Sequence, residues 1–280
     1  MEYLERRRSL IEERLEDVLD APDPGALRSR LEHVALSGGK RVRPTVTLLS
    51  CEVVGGDPED AVDFAAGIEL VHNASLVVDD IIDESDVRRG EPSAWAAFGH
   101  GSAVAASDGL MGEAFACFSA EPRAMERAAD AIVELGEGEA TELVASPDSE
   151  AAYMRLAQRK TGALFRAAAE LGGIAGGANH DDVDALGRYA EHVGIAFQIR
   201  DDVLDETAEA DELGKPTGQD AAMERPSLLR VTDLTPEEAN TRARSESESA
   251  LAALQKLPVV DETARDYLAD LAEFVVVRER

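Results

Sequence analysis

Asp79 and Asp83 stand four residues apart, with Asp80 beside the first of them. Residues four apart share one face of a helix. The stretch Ile68–Gly90, IELVHNASLVVDDIIDESDVRRG, reads as one long helix that runs apolar, turns acidic and ends in Arg88 and Arg89. His72 lies seven residues before Asp79, on roughly the same stripe. Carboxylates stacked on one face repel each other unless a cation sits between them. A metal-binding acid face next to paired guanidiniums suits a polyanion such as a diphosphate, bridged by magnesium to the acids and clamped by the arginines.

The acid pattern recurs. Phe197–Asp205, FQIRDDVLD, sets Asp201, Asp202 and Asp205 in the same register, again behind an apolar run. With 25 aspartates in 280 residues, one DDxxD arises by chance about 0.2 times, and two copies only about a few times in a hundred. Elsewhere, Gly38–Pro44, GGKRVRP, places Lys40, Arg41 and Arg43 around exposed glycine amides at a helix start, an arrangement favourable for phosphate. No phosphate-binding loop of the G-x-x-x-x-G-K-[ST] type occurs, so a kinase or ATPase fits poorly. Taken singly, Lys160 and Thr161, Gln198 and Lys215 have ordinary readings as solvated or polar-core residues, and His72 as a satisfied core histidine. Their occurrence together and in this order is what carries weight.

The elements that must position these groups are nearly all helices, because Ala, Leu, Glu and Arg dominate and β-branched alternation is short. Leu4, Leu10, Ile11, Leu15 and Leu19 line a first helix, and a second ends near Ser37-Gly38-Gly39. Pro44 suits the first turn of a third, and Asp57-Pro58-Glu59-Asp60 starts the acid-bearing one. Further helices are expected over Ser102–Phe118, Ala124–Val144, Glu150–Gly172 and Asp181–Asp205, with a broken loop at Glu206–Arg225. Nothing divides the chain, so residues 1–280 read as a single domain, with the two acidic motifs on helices facing each other across a bundle core.

Composition narrows the partners. A net charge of −29 argues against nucleic acid or an anionic membrane. Four lysines against 57 acids suggest adaptation to high salt, and Lys40, Lys160 and Lys215 all fall inside the motifs. Cys51 and Cys117 read as buried free thiols. No stretch of 18 uncharged apolar residues occurs, and the amphipathic N-terminus is unlike a signal peptide. A cytoplasmic location is expected.

Together, GGKRVRP (38–44), HNASLVVDDIIDESDVRRG (72–90), KTG (160–162), FQIRDDVLD (197–205) and GKPTGQD (214–220) resemble the trans polyprenyl diphosphate synthases, the family of geranylgeranyl and farnesyl diphosphate synthases. The resemblance covers almost the whole chain. It implies the all-α isoprenoid synthase bundle, ten or more helices around a central cavity, in a homodimer. It also implies head-to-tail condensation of isopentenyl diphosphate with an allylic diphosphate. By motif, Asp79 and Asp83 would ligate two magnesium ions, with Asp80 in support. Asp201 would hold a third, with Asp202 and Asp205 nearby. Arg88, Lys160, Thr161, Gln198 and Lys215 would hold the allylic diphosphate, and Lys40, Arg43, His72 and Arg89 the isopentenyl diphosphate, with Arg41 counted among the phosphate-binding basics.

The chain departs from the usual pattern in places. Val78 replaces a common His, Ser107 a Gly, Glu139 and Glu142 a Gln and an Asp, and Arg225 falls where a second Lys is usual. In this family an aromatic five residues before the first Asp shortens the product. That position is Ala74 here, beside Ser75, with Val71 next along the face and Ile68 beyond. A product of geranylgeranyl length or longer is expected, with Val71 and Ile68 as floor. The alternatives are a farnesyl synthase, a cyclase of the same fold, or a regulatory subunit lacking activity of its own.

Overall fold

A computed structural model describes residues 2–145, 147–212 and 226–277, with backbone alone for 207–212. The chain divides into two compact units. The first holds residues up to Ala128 together with Leu171–Ala178, and the second holds Ala129–Glu170 and residues from Asn179 on.

The first unit begins with α1 (Glu2–Asp20), α2 (Gly25–Ala35), α3 (Val42–Val53) and α4 (Pro58–Ile82). The expected apolar face of α1 buries Ile11, Leu15, Val18 and Leu19. Helix α4 starts where its sequence says it should. Pro58 occupies the first turn, and the Asp57 side chain accepts the Glu59 amide at 3.0 Å, with Glu59 and Asp60 placed favourably for the helix dipole. Leu70, Val71, Ala74 and Val77 bury its apolar stretch. Among the described helices α4 alone is long and apolar enough by composition to cross a membrane, but 67% of that window is buried, as befits a core helix.

The acidic end of α4 corrects the expectation of one helix from Ile68 to Gly90. The helix stops at Ile82, and Asp83 is its C-cap, its amide donating to the Asp79 carbonyl at 2.8 Å. Glu84 takes a left-handed φ of 51°, which ends the helix. A two-stranded hairpin follows, β1 (Val87–Arg88) and β2 (Glu91–Pro92), with Arg88 opposite Glu91. Its turn is Arg89-Gly90, both at positive φ (55° and 83°), the conformation that lets a two-residue turn match strand twist. The two arginines are therefore presented by a hairpin folded back beside the acids. Helix α5 (Ala94–Phe98), α6 (His100–Phe118) and the start of α7 (Pro122–Ala140) complete this unit.

The second unit contains the rest of α7, then α8 (Glu150–Ala157), most of α9 (Ala163–Ala175), α10 (His180–Glu212), α11 (Leu228–Val231), α12 (Pro236–Leu254) and α13 (Glu262–Val277). Two π-helical turns, Thr141–Ala145 and Gln158–Gly162, follow α7 and α8. The helix expected over Ala124–Val144 thus ends as a π turn. Helix α10 runs on to Glu212, into the stretch expected to be loop. A capping box between Thr235 and Glu238 starts α12. Tyr153, Ile195, Ile199, Val203, Leu228 and Ala239 form one core cluster across α8, α10, α11 and α12.

Candidate functional site

The two acidic motifs belong to different units, and each has its own geometry. In the first, Asp79 and Asp83 sit one turn apart at the end of α4, both partly exposed. Asp80 points the other way. It is buried, and Arg88 donates to its Oδ1 from Nε at 2.9 Å and also from Nη2. Burial raises the Asp80 pKa, and the Arg88 guanidinium opposes that shift. Asp80 therefore anchors the hairpin, while Asp79 and Asp83 remain partly exposed.

A basic cluster lies along α4 from these acids. Arg43, in the first turn of α3, places Nη1 3.2 Å from His72 Nε2. Burial, with Arg43 and Arg89 close by, holds the His72 pKa well below its ordinary value, so the imidazole is neutral and accepts that bond. Burial and Arg89 also pull Arg43 down to about 10, against the attraction of Glu69. Arg89 donates to the Gly38 carbonyl, and its guanidinium packs so closely on Gly39 that a side chain there would meet Cζ at 3.0 Å. Lys40 is exposed. Lys40, Arg43, His72 and Arg89 thus gather in one unit around the Gly38–Gly39 turn.

Arg41 does not join them. Its side chain is 1% exposed. It donates to Glu12 from Nε (2.8 Å) and Nη2 (3.0 Å), to Glu69 from Nη1 (2.8 Å) and to the Ala35 carbonyl from Nη2 (2.7 Å). The expectation that it binds phosphate is corrected on this geometry, because a guanidinium sealed against two carboxylates has no face left for another anion.

In the second unit Asp201 and Asp205 lie on α10, Asp205 exposed and Asp201 partly so. Asp202 is buried and accepts from Tyr153 Oη (2.6 Å), Gln198 Nε2 (3.0 Å) and the Leu228 amide (2.8 Å). Burial pushes its pKa up to about 6 in spite of those donors. Gln198 in turn accepts from Thr161 Oγ1 at 2.7 Å, so Thr161, Gln198 and Asp202 form one chain. Lys160 stands between Glu139, at 3.2 Å, and Glu142. Lys215 and Arg225 lie outside the described residues.

Sequence reasoning missed Glu12, Glu69 and Tyr153. A buried Glu on an apolar helix was the available signal for Glu69, which sits three residues before His72. Ser107, noted only as a departure, donates to the Ala74 carbonyl at 3.0 Å and fastens α6 to α4 at the expected chain-length position. Ala74, Val71 and Ile68 are fully buried, and Ser75 is partly so.

Among the described residues no three carboxylates, thiols or imidazoles converge closely enough to hold a metal unaided. The donors at Asp79, Asp83, Asp201 and Asp205 are oxygens, the type magnesium prefers. Magnesium commonly takes only one or two carboxylates and completes its shell with phosphate oxygens and water. The residues present therefore fit a magnesium ion that arrives with a diphosphate.

The fold is that of known synthases. The chain is similar to a geranylgeranyl pyrophosphate synthetase from Pyrococcus horikoshii Ot3 (TM-score 0.88, 35% identity, covering 99% of this chain and 98% of that one). It is also similar to a polyprenyl synthase from Caulobacter crescentus CB15 complexed with calcium and isoprenyl diphosphate (TM-score 0.88, 28% identity, covering 100% and 97%). This is the all-helical isoprenoid synthase class. A family model described as polyprenyl synthetase matches residues 24–258, and a short chain isoprenyl diphosphate synthase from Methanothermobacter thermautotrophicus is 33% identical, covering 100% of this chain and 98% of that protein. The chain belongs to the polyprenyl synthetase family, whose members are prenyltransferases.

Proposed function

We propose that this protein joins isopentenyl diphosphate head-to-tail to an allylic diphosphate and yields geranylgeranyl diphosphate or a longer product. The observation that carries the reading is the basic cluster of Lys40, Arg43 and Arg89 around neutral His72, on the helix that ends in Asp79 and Asp83. A cyclase of this fold binds one diphosphate substrate and has no use for a second basic pocket. Asp79 and Asp83, and Asp201 with Asp205, are the groups to hold magnesium, three ions being expected. When bound, magnesium stabilises the charge that develops on the leaving diphosphate. Arg88, Lys160, Thr161 and Gln198 are the groups to orient the allylic diphosphate. Ionisation of its C–O bond gives an allylic cation, the isopentenyl double bond attacks it, and the proton then lost goes to the released diphosphate. No protein nucleophile takes part.

We also read the protein as a cytoplasmic homodimer in which residues 1–280 act as one synthase domain. The family match spans stretches of both units. Helix α6 exposes Val104 (50%) and Phe115 (38%) among small residues, a face suited to a second copy. In light scattering a dimer would weigh twice the 29.9 kDa chain.

The product assay tests the main reading. Labelled isopentenyl diphosphate, magnesium, molar salt and each allylic primer are supplied in turn, and the dephosphorylated products are sized. A ladder reaching twenty carbons or more is expected, and Ala74→Phe should shorten it. Products of fifteen carbons only would place the chain-length stop elsewhere than Val71 and Ile68. No condensation by folded protein at high salt would favour a regulatory subunit.

A further inference from the structure

Helix α1 precedes the stretch that matches the family model, yet its Glu12 reaches the turn that carries the basic cluster. That turn is conformationally strained. Gly38, Gly39 and Arg41 all have positive φ (89°, 125° and 50°), and arginine, unlike glycine, rarely adopts it. Such a backbone persists only where its surroundings hold it. From inside, the Arg41 guanidinium is bonded to α1 through Glu12, to α4 through Glu69 and to the end of α2 through the Ala35 carbonyl. From outside, Arg89 is bonded to Gly38 and packs on Gly39. The Arg41 carbonyl meanwhile accepts the amide (3.1 Å) and hydroxyl (2.7 Å) of Thr45, fixing the first turn of α3 and hence Arg43. One side chain thus sets the course of the backbone on both sides of it, toward Lys40 and toward Arg43.

We propose that Arg41 is a positioning residue for the isopentenyl diphosphate pocket, and that Glu12 of α1 and Glu69 of α4 are the anchors that let it act. This rests on the reading of Lys40, Arg43 and His72 as holders of that substrate. Arg41 touches no substrate atom. It keeps the Lys40–Arg43 turn in the conformation that aims the basic groups, and a bidentate pair with Glu12 fixes its plane as a lysine could not.

The test measures KM for each substrate, kcat and thermal midpoint in the full chain for Arg43→Gln, Glu12→Gln, Arg41→Lys and Arg41→Met. Glu12→Gln removes one charge with little change of shape, so it remains informative if Arg41→Met fails to fold. The expected result is a rise of about tenfold in KM for isopentenyl diphosphate in Glu12→Gln and Arg41→Lys, with kcat and the allylic KM within about threefold of the parent. Arg43→Gln should raise the same KM. If Arg43→Gln raises it while Glu12→Gln and Arg41→Lys leave it within about twofold, the positioning role is overturned and the pocket stands. Equal losses in both KM values, tracking the fall in midpoint, would also overturn the role, since Arg41 would then serve only stability. If Arg43→Gln has no effect, the pocket assignment fails and the inference falls with it.

Discussion

In each acidic motif the middle carboxylate is engaged by the protein itself, Asp80 by Arg88 and Asp202 by Tyr153, Gln198 and Leu228. These inward acids are held in the scaffold, whereas Asp79, Asp83 and Asp201 are partly exposed and Asp205 is exposed. His72 gives a pH prediction at the same scale. Its folded pKa lies well below the ordinary 6.5, so below that pH the unfolded chain takes up a proton that the folded one refuses. Stability from this group is therefore present above about pH 6.5 and lost as pH falls. His72→Gln should weaken that loss, so denaturation midpoints of parent and variant should differ less at pH 5 than at pH 7 if the substitution destabilises. An unchanged difference between the two pH values would contradict it. Lys160, set between Glu139 and Glu142, gives another. Glu142→Gln removes one competing anion, and a partly exposed ion pair contributes up to about 1 kcal/mol. The allylic KM should fall about two- to fivefold, and a rise would show that Glu142 orients the lysine for substrate.

At the scale of elements, α3 and the C-terminal end of α9 pack with almost no gap. A Cβ at Gly172 would come within 2.0 Å of the Thr47 carbonyl. Gly172→Ala should cost about 1–3 kcal/mol through forced backbone shifts, measured by urea denaturation. Gly112 on α6 has nothing within 4 Å, so Gly112→Ala should stabilise slightly, by up to about 1 kcal/mol from helix propensity. Equal effects at the two sites would refute the close-packing account. The helices themselves were largely legible, since capping residues, prolines and the 3.6-residue repeat are local signals. The end of α4 was not. Its apolar and acidic pattern continues past Ile82, and only Glu84 and the Arg89-Gly90 turn, both at positive φ, break it.

For the whole molecule, 57 acids against 28 basic residues leave strong self-repulsion at low ionic strength. The thermal midpoint should rise between 0.1 and 2 M KCl, and a flat or falling response would remove the case for salt adaptation. Both cysteines should resist thiol reagents until unfolding, since burial and nearby acids push Cys51 to about 12 and Cys117 to about 11.

The amino-acid sequence by itself determined the helical class, the two acidic motifs and the basic turn, because each is a matter of residue type at fixed short spacing. It also placed the chain in its family, since several such motifs occur in one order. Tertiary structure alone decided which member of each cluster is available. Arg41 and Arg43 are two residues apart in one motif. One is sealed against Glu12 and Glu69, and the other lies beside His72. Asp79 and Asp80 are neighbours, one partly exposed and one buried on Arg88. Neighbours on a helix point about 100° apart, and what each meets is set by how the chain folds back on it: helices α1 and α4 for Arg41, the hairpin that carries Arg88 for Asp80.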